Sequence, residues 1–250
     1  MAKTKILWLD CDEVLLDFIR EFNKFLGTKG HYVAYEYMPE KWGAWAGIEQ
    51  GDFGNLMQEF INHYSGNLPR LAKAEQLCRK ARELGWHVNV ITAHPSHLTK
   101  ERLDNLSSEG LVFDGFYSTV SFGPDGKKFS IYKHDVAGHM PGDINVLVDD
   151  RFQTAKAWAE SKSLPGAYAV TVSRSYNSDD ILEYLSYLGR VFPDNLLVSS
   201  PGSNADEGAS NMQEDAWRLI QKLDHEDSVS TLKEIAEIRS RSGHYTLLGE

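Results

Sequence analysis

The chain is short of cysteine, has no basic cluster and contains no long apolar run. No stretch approaches the roughly 20 apolar residues that span a bilayer, so no membrane segment is expected. The N-terminal MAKTKILWLD also lacks the apolar core of a secretory signal. Its two cysteines, Cys11 and Cys78, show no CxxC spacing. That excludes a disulfide framework and a cysteine-based zinc site, and points to a reducing, cytoplasmic compartment. Acidic residues outnumber basic ones, 36 to 26, for a net charge of −10. A protein that grips a nucleic-acid backbone needs a Lys/Arg patch, so a nucleic-acid partner is not expected. A small anionic substrate stays compatible, because one local cation can overcome a negative total.

What the 250 residues do contain is an alternation of apolar strand-like runs and amphipathic stretches. KILWLD (5–10) reads as a strand. Residues 14–27 then place Leu15, Phe18, Ile19, Phe22, Phe25 and Leu26 on one helical face. LAKAEQLCRKAREL (71–84) predicts a helix that Gly85 stops. HVNVIT (87–92) predicts a strand, 96–109 a helix capped by Ser96, and 116–122, 145–150 and 167–172 further strands. The alternation predicts an α/β fold on a mostly parallel sheet. Residues 28–70, rich in Tyr, Trp and Gly, break the rhythm and read as an insertion. The polar, Ser/Gly/Asn-rich 194–213 reads as a flexible linker. Beyond it, 214–250 reads as a C-terminal helical segment, with patterns near 214–223 and 229–240.

Ligands of open α/β sheets bind at the carboxyl ends of the strands. Three strands end in polar residues that can meet there. The first delivers Asp10 and then Asp12, the second Thr92 within VITAHP, and another Asp149 and Asp150 within VLVDDR. Several carboxylates and a hydroxyl make an oxygen-rich pocket, the kind hard cations such as Mg²⁺ prefer. A DxD alone is common in loops; the strand-end placement is what distinguishes these acids. Asp179–Asp180, by contrast, follow Ser178 and read as first-turn acids of a helix.

DCDEV, then VITA, a lysine and VLVDDR resemble the four-motif signature of the haloacid dehalogenase (HAD) superfamily of phosphohydrolases. DEVLLDF, followed by an insertion after the first helix, resembles the 5'(3')-deoxyribonucleotidase branch. The resemblance covers about residues 5–190. It implies a Rossmann-like, three-layer core (1–27 and 71–193) and a small, mainly helical cap (28–70). It further implies that Asp10 is the nucleophile and Asp12 the acid/base, with Thr92 and Ala93 binding the phosphoryl oxygens. Asp10, Asp12 (through its backbone carbonyl) and Asp149 or Asp150 would hold Mg²⁺. The phosphate-binding lysine would be Lys133, in KHDVAG, in preference to Lys128, in a hairpin. Glu13 stands where the family often has glycine.

The expected activity is a Mg²⁺-dependent phosphomonoesterase with an aspartyl-phosphate intermediate. Its expected partner is a small phosphorylated metabolite, a nucleoside monophosphate. His94 would line the substrate entrance. Trp42 and Trp45, with Tyr35, Tyr37 and Phe53, would form an apolar lid over the base or a small aromatic core of the cap itself. The alternatives are a polynucleotide 3'-phosphatase and a non-catalytic scaffold with an interaction tail. Cys11, set between acids that would raise its pKa, is not expected to act as a nucleophile.

Overall fold

A computed structural model describes residues 3–31, 48, 50–122, 128–140, 142–172, 195–200 and 205–225 of the chain. In chain order these form β1 (Lys5–Leu9), α1 (Phe18–Thr28), α2 (Gln50–His63), α3 (Ala74–Glu83), β2 (His87–Pro95), α4 (Thr99–Ser108), β3 (Gly115–Phe122), β4 (Lys128–Ser130), α5 (Lys133–Gly138), β5 (Ile144–Val148), α6 (Phe152–Ala159), β6 (Ala167–Val172), β7 (Leu196–Ser199) and α7 (Ala205–Asp224). The strands make one sheet in the order β4-β3-β2-β1-β5-β6-β7, and only β4 runs antiparallel to its neighbour. This is the expected α/β fold. No helix among the described residues is long and apolar enough to cross a membrane.

The central strands are apolar on both faces because both are covered. All five residues of β5, INVLV, are buried. Alternate residues of β1 enter different cores. Leu7 and Leu9 join α1, α3 and α7 on one side, while Ile6 and Trp8 meet α6 on the other. Trp8 packs edge-on against Trp158, ring centroids 6.0 Å apart, and donates its indole N–H to Asn145. Strand order and parallel pairing bring the carboxyl ends of β1, β2 and β5 side by side, with β1 in the middle.

Gly85 ends α3 as expected, in the left-handed region at φ +76°. The first helix starts later than its apolar stripe, at Phe18, because Asp17 caps it and accepts from Arg20 N–H. Ser96 does not cap a helix; it opens a short 3₁₀ turn ahead of α4. Within 28–70, α2 lies on α1 through an aromatic cluster in which Phe60 meets Phe18 and Phe22, both at 5.2 Å. Phe53 belongs to that cluster, 5.8 Å from Phe22, as the aromatic-core reading of this segment expects. Tyr35, Tyr37, Trp42 and Trp45 lie outside the described residues, as do Asp179–Asp180 and the 229–240 pattern.

Residues 194–213 are not simply a flexible linker. They contain β7, all four residues buried, and the first half of α7. The core therefore continues past residue 193, and the C-terminal helix begins at Ala205 instead of 214. Two physical reasons hid this. A four-residue strand carries almost no periodicity, and the early buried stripe of α7 sets Ala209 and Gln213 beside Met212, too little apolar pattern to stand out from a polar segment. Burial against the sheet decides its place. Met212, Ala216, Leu219 and Ile220 are fully buried against the sheet. Gln213 donates to Val14 C=O at 2.6 Å and accepts from Lys73 N–H at 3.1 Å, tying α7 to the loop after β1.

A chain ended at residue 193 is thus expected to lose its cooperative thermal transition, since it exposes one face of the sheet. A sharp transition near the full-length midpoint would contradict the placement of β7 and α7 in the core.

Candidate active site

Asp10 is the first residue beyond β1, and its backbone N–H donates to Val148 C=O at 2.9 Å, so the strand pairing itself fixes it beside β5. Asp149 and Asp150 follow β5 directly. Asp149 is fully buried; its Oδ1 accepts from Arg151 N–H at 2.9 Å. One carboxylate oxygen from each of Asp10, Asp149 and Asp150 lies within 4.8 Å of the others. Lys133, buried at the start of α5, reaches two of these acids. Its Nζ is 2.8 Å from Asp10 Oδ1 and 2.7 Å from Asp149 Oδ2. Lys128 instead lies exposed on β4, opposite Phe122.

Lys133 pairs with two of these three buried carboxylates, Asp10 and Asp149. Burial, reinforced by Asp149 and Asp150, pushes Asp10 up to about 8 against the pull of Lys133. Burial alone would lower Lys133, but Asp10 and Asp149 outweigh it and hold the ammonium charged. A hard divalent cation fits this donor set of carboxylate oxygens and would relieve the crowding.

β2 has an irregularity between Thr92 and Pro95 that turns its end toward the same site. Thr92 is buried, with its Oγ1 accepting from His94 N–H at 3.2 Å, while Ala93 is exposed. Asp10, Asp12, Thr92, Ala93, His94 and Asp150 line one cleft of about 220 Å³. Glu13, Pro95 and Arg151 line it too, and Phe18, Ile19, Met57 and Ile61 supply its apolar wall. Asp149 and Lys133 are not among the lining residues.

Glu13 takes φ +62°, the left-handed region that favours glycine. Its Oε1 accepts from Ile19 N–H at 2.9 Å, in the first turn of α1. The turn is kept without the glycine. Cys11 is fully buried, and burial pushes its thiol far up, so it is no nucleophile.

One residue escaped the sequence reading. Arg102 on α4 is fully buried, with a guanidinium nitrogen 3.1 Å from Asp12 Oδ1 and another 3.3 Å from His94 Nδ1. Guanidinium only donates, so His94 Nδ1 accepts and the ring is the neutral Nε2–H tautomer. Burial and then Arg102 push His94 down to about 4, consistent with that neutral ring. Asp12 Oδ1 is buried against Arg102, whereas the side chain as a whole keeps 30% exposure, which leaves Oδ2 to the cleft. The signal in the sequence was a charged residue on a buried stripe, Arg102–Asn105–Leu106.

No family model and no curated protein matches the chain. Among solved structures it is similar to a predicted phosphatase from Clostridium acetobutylicum, at 15% identity over 85% of this chain and 100% of that one, TM-score 0.49. It is also similar to a HAD family hydrolase from Deinococcus radiodurans R1 with bound phosphate and sodium (14% identity, 80% of this chain, 93% of that one, TM-score 0.47). A third is D,D-heptose 1,7-bisphosphate phosphatase from B. bronchiseptica, complexed with magnesium and phosphate (14% identity, 85% of this chain, 99% of that one, TM-score 0.43).

Proposed function

We propose that the chain is a Mg²⁺-dependent phosphomonoesterase of the HAD type, acting through an aspartyl-phosphate on a nucleoside monophosphate. The observation that carries this reading is convergence. Asp10, Asp12, Thr92, Lys133, Asp149 and Asp150 come from four separate stretches of sequence and meet at one sheet edge.

An Asp10 carboxylate oxygen attacks phosphorus, and the bond from phosphorus to the ester oxygen breaks. Asp12 gives its proton to the departing alkoxide, so the leaving group exits as an alcohol. Asp12 then takes a proton from water as that water attacks the aspartyl-phosphate, which releases inorganic phosphate and restores the Asp10 carboxylate. Thr92 Oγ1 and the Ala93 N–H donate to the phosphoryl oxygens, and Lys133 adds positive charge beside them. Asp10, the Asp12 backbone carbonyl and Asp149 or Asp150 would hold Mg²⁺, which when bound offsets negative charge on the phosphoryl group.

The small cleft, with its apolar wall from α1 and α2, suits a compact monoester better than a polymer. In this proposal residues 28–70 act as the cap, and Trp42 and Trp45 stack on the base. Net charge −10 disfavours the polynucleotide 3'-phosphatase reading. A panel of dUMP, dTMP, 3'-nucleotides and 3'-phosphorylated DNA tests the choice. A mononucleotide is expected to give the highest kcat/KM; a clear preference for the DNA would sink the nucleotidase reading.

A further inference from the structure

We propose that Asn105 is a positioning residue: through Leu68 it ties the apolar wall of the cleft to helix α4, and so sets the preference for leaving groups large enough to reach that wall. The inference deepens the phosphomonoesterase reading and rests on it.

Asn105 lies on the buried stripe of α4, one turn after Arg102. Asparagine is a poor helix former, and a buried amide is costly unless it is hydrogen-bonded. Both halves of this amide are used, and on a single residue. Its Oδ1 accepts from Leu68 N–H and its Nδ2 donates to Leu68 C=O, each at 2.9 Å. Leu68 is buried as well. Among side chains of this size, ionised aspartate lacks the donor and leucine lacks both groups.

Leu68 follows α2 and the 3₁₀ turn Ser65–Asn67, where the chain returns to the sheet. The returning chain pairs with the outgoing one. Asp17 N–H donates to Pro69 C=O and Leu71 N–H to Leu15 C=O, both at 2.9 Å. Leu16 bridges Asp12 on one side and Arg70 on the other. The segment leaving Asp12 and the segment returning from α2 are thus held edge to edge, and α4 grips the returning one through Asn105. Upstream, α2 supplies Met57 and Ile61 to the cleft wall, and its aromatic cluster joins it to α1, which supplies Phe18 and Ile19. One helix therefore makes two separate contacts, Arg102 to Asp12 and Asn105 to the connector behind the wall. Losing the second leaves Asp12 beside Arg102 but loosens the wall. The defect then falls on how the leaving group is held and not on its protonation.

Benzyl phosphate and methyl phosphate test the proposal. They release alcohols of similar acidity and need the same proton from Asp12, but only the benzyl group is large enough to reach the wall. Wild type is expected to prefer benzyl phosphate by about tenfold or more in kcat/KM. Asn105→Leu, close in size but without hydrogen bonds, is expected to cut that preference by about tenfold while kcat/KM for methyl phosphate stays within about twofold. Asn105→Asp keeps the acceptor for Leu68 N–H and is expected to lose part of the preference; it serves if the leucine variant does not fold, which thermal unfolding checks. A purely structural asparagine would lower both esters together, through the folded fraction, with their ratio unchanged. That result, or equal use of both esters by wild type, overturns the role of Asn105 and leaves the phosphatase reading standing. Hydrolysis of neither ester by wild type, together with a blank nucleotide panel, removes the phosphatase reading and this inference with it.

Discussion

Arg102→Met is expected to cut kcat/KM for an alkyl phosphate by about 100-fold while barely lowering kcat/KM for an aryl ester with an acidic leaving group, because kcat/KM reports the steps through leaving-group departure and not the later water attack that also uses Asp12. Arg102 is not among the residues that line the cleft; it acts through Asp12. Its guanidinium is an ion-pair partner 3.1 Å from the buried Asp12 Oδ1, outside hydrogen-bond geometry, and this leaves the other oxygen to the cleft. Without it the carboxyl group loses its orientation, and positioned general acid–base catalysis contributes about 10²–10⁴-fold. An alkoxide needs the proton from Asp12, whereas a phenolate with a low pKa leaves without one. That difference separates lost positioning from general damage, because a merely misfolded site would slow both esters equally. Stability falls as well. Removing one partner of a buried ion pair costs about 3–5 kcal/mol. The 30% exposure of Asp12 lets water replace part of the contact and puts the cost near the lower end. For a chain of this size, about 3 kcal/mol lowers Tm by roughly 6–12 °C. Equal loss of kcat/KM for both esters would refute the positioning role.

Asp10→Asn has the second large effect, and it has opposite signs in activity and in stability. Turnover is lost, because an amide cannot attack phosphorus as a carboxylate does. Stability of the metal-free protein rises relative to wild type as pH increases. In the folded state burial holds Asp10 near 8, above its ordinary value of 3.8. The folded chain therefore binds this proton more tightly than the unfolded chain does. The associated stability is fully present below about 4 and is lost as pH rises through about 8. Asparagine mimics the protonated form throughout and escapes that loss. In EDTA, urea unfolding from pH 5 to 9 is expected to show the variant gaining a few kcal/mol on wild type. Saturating Mg²⁺ is expected to favour wild type instead. A constant difference between the two proteins across that pH range would contradict a buried Asp10 crowded by Asp149 and Asp150.

Both variants bear on what the sequence made legible. The strand ends were readable because each one couples an apolar run to an acid or a hydroxyl. KILWL leads to Asp10 and INVLV to Asp149 and Asp150, and the fold brings those ends together. KHDVAG already favoured Lys133 over Lys128, and the structure separates them physically, since both begin short elements and only Lys133 is buried beside Asp10 and Asp149. Arg102 was overlooked because charged residues in helices are usually solvated. Its burial depends on a partner, Asp12, that lies 90 residues earlier in the chain. The seventh strand and the early part of α7 were hidden by composition: Ser, Asn and Gly suggest a linker, but burial against the sheet decides the outcome. Glu13 looked like a break in the glycine-favouring turn. The structure keeps the turn and uses the extra side chain at the end of α1.

The most direct measurement compares wild type with Asp10→Asn on a broad phosphomonoester panel, with Mg²⁺ and with EDTA. Wild type is expected to release phosphate from at least one small monoester only when Mg²⁺ is present, and Asp10→Asn is expected to show background alone. The same background rate from both proteins in Mg²⁺ would contradict the enzyme assignment and leave a non-catalytic scaffold as the reading.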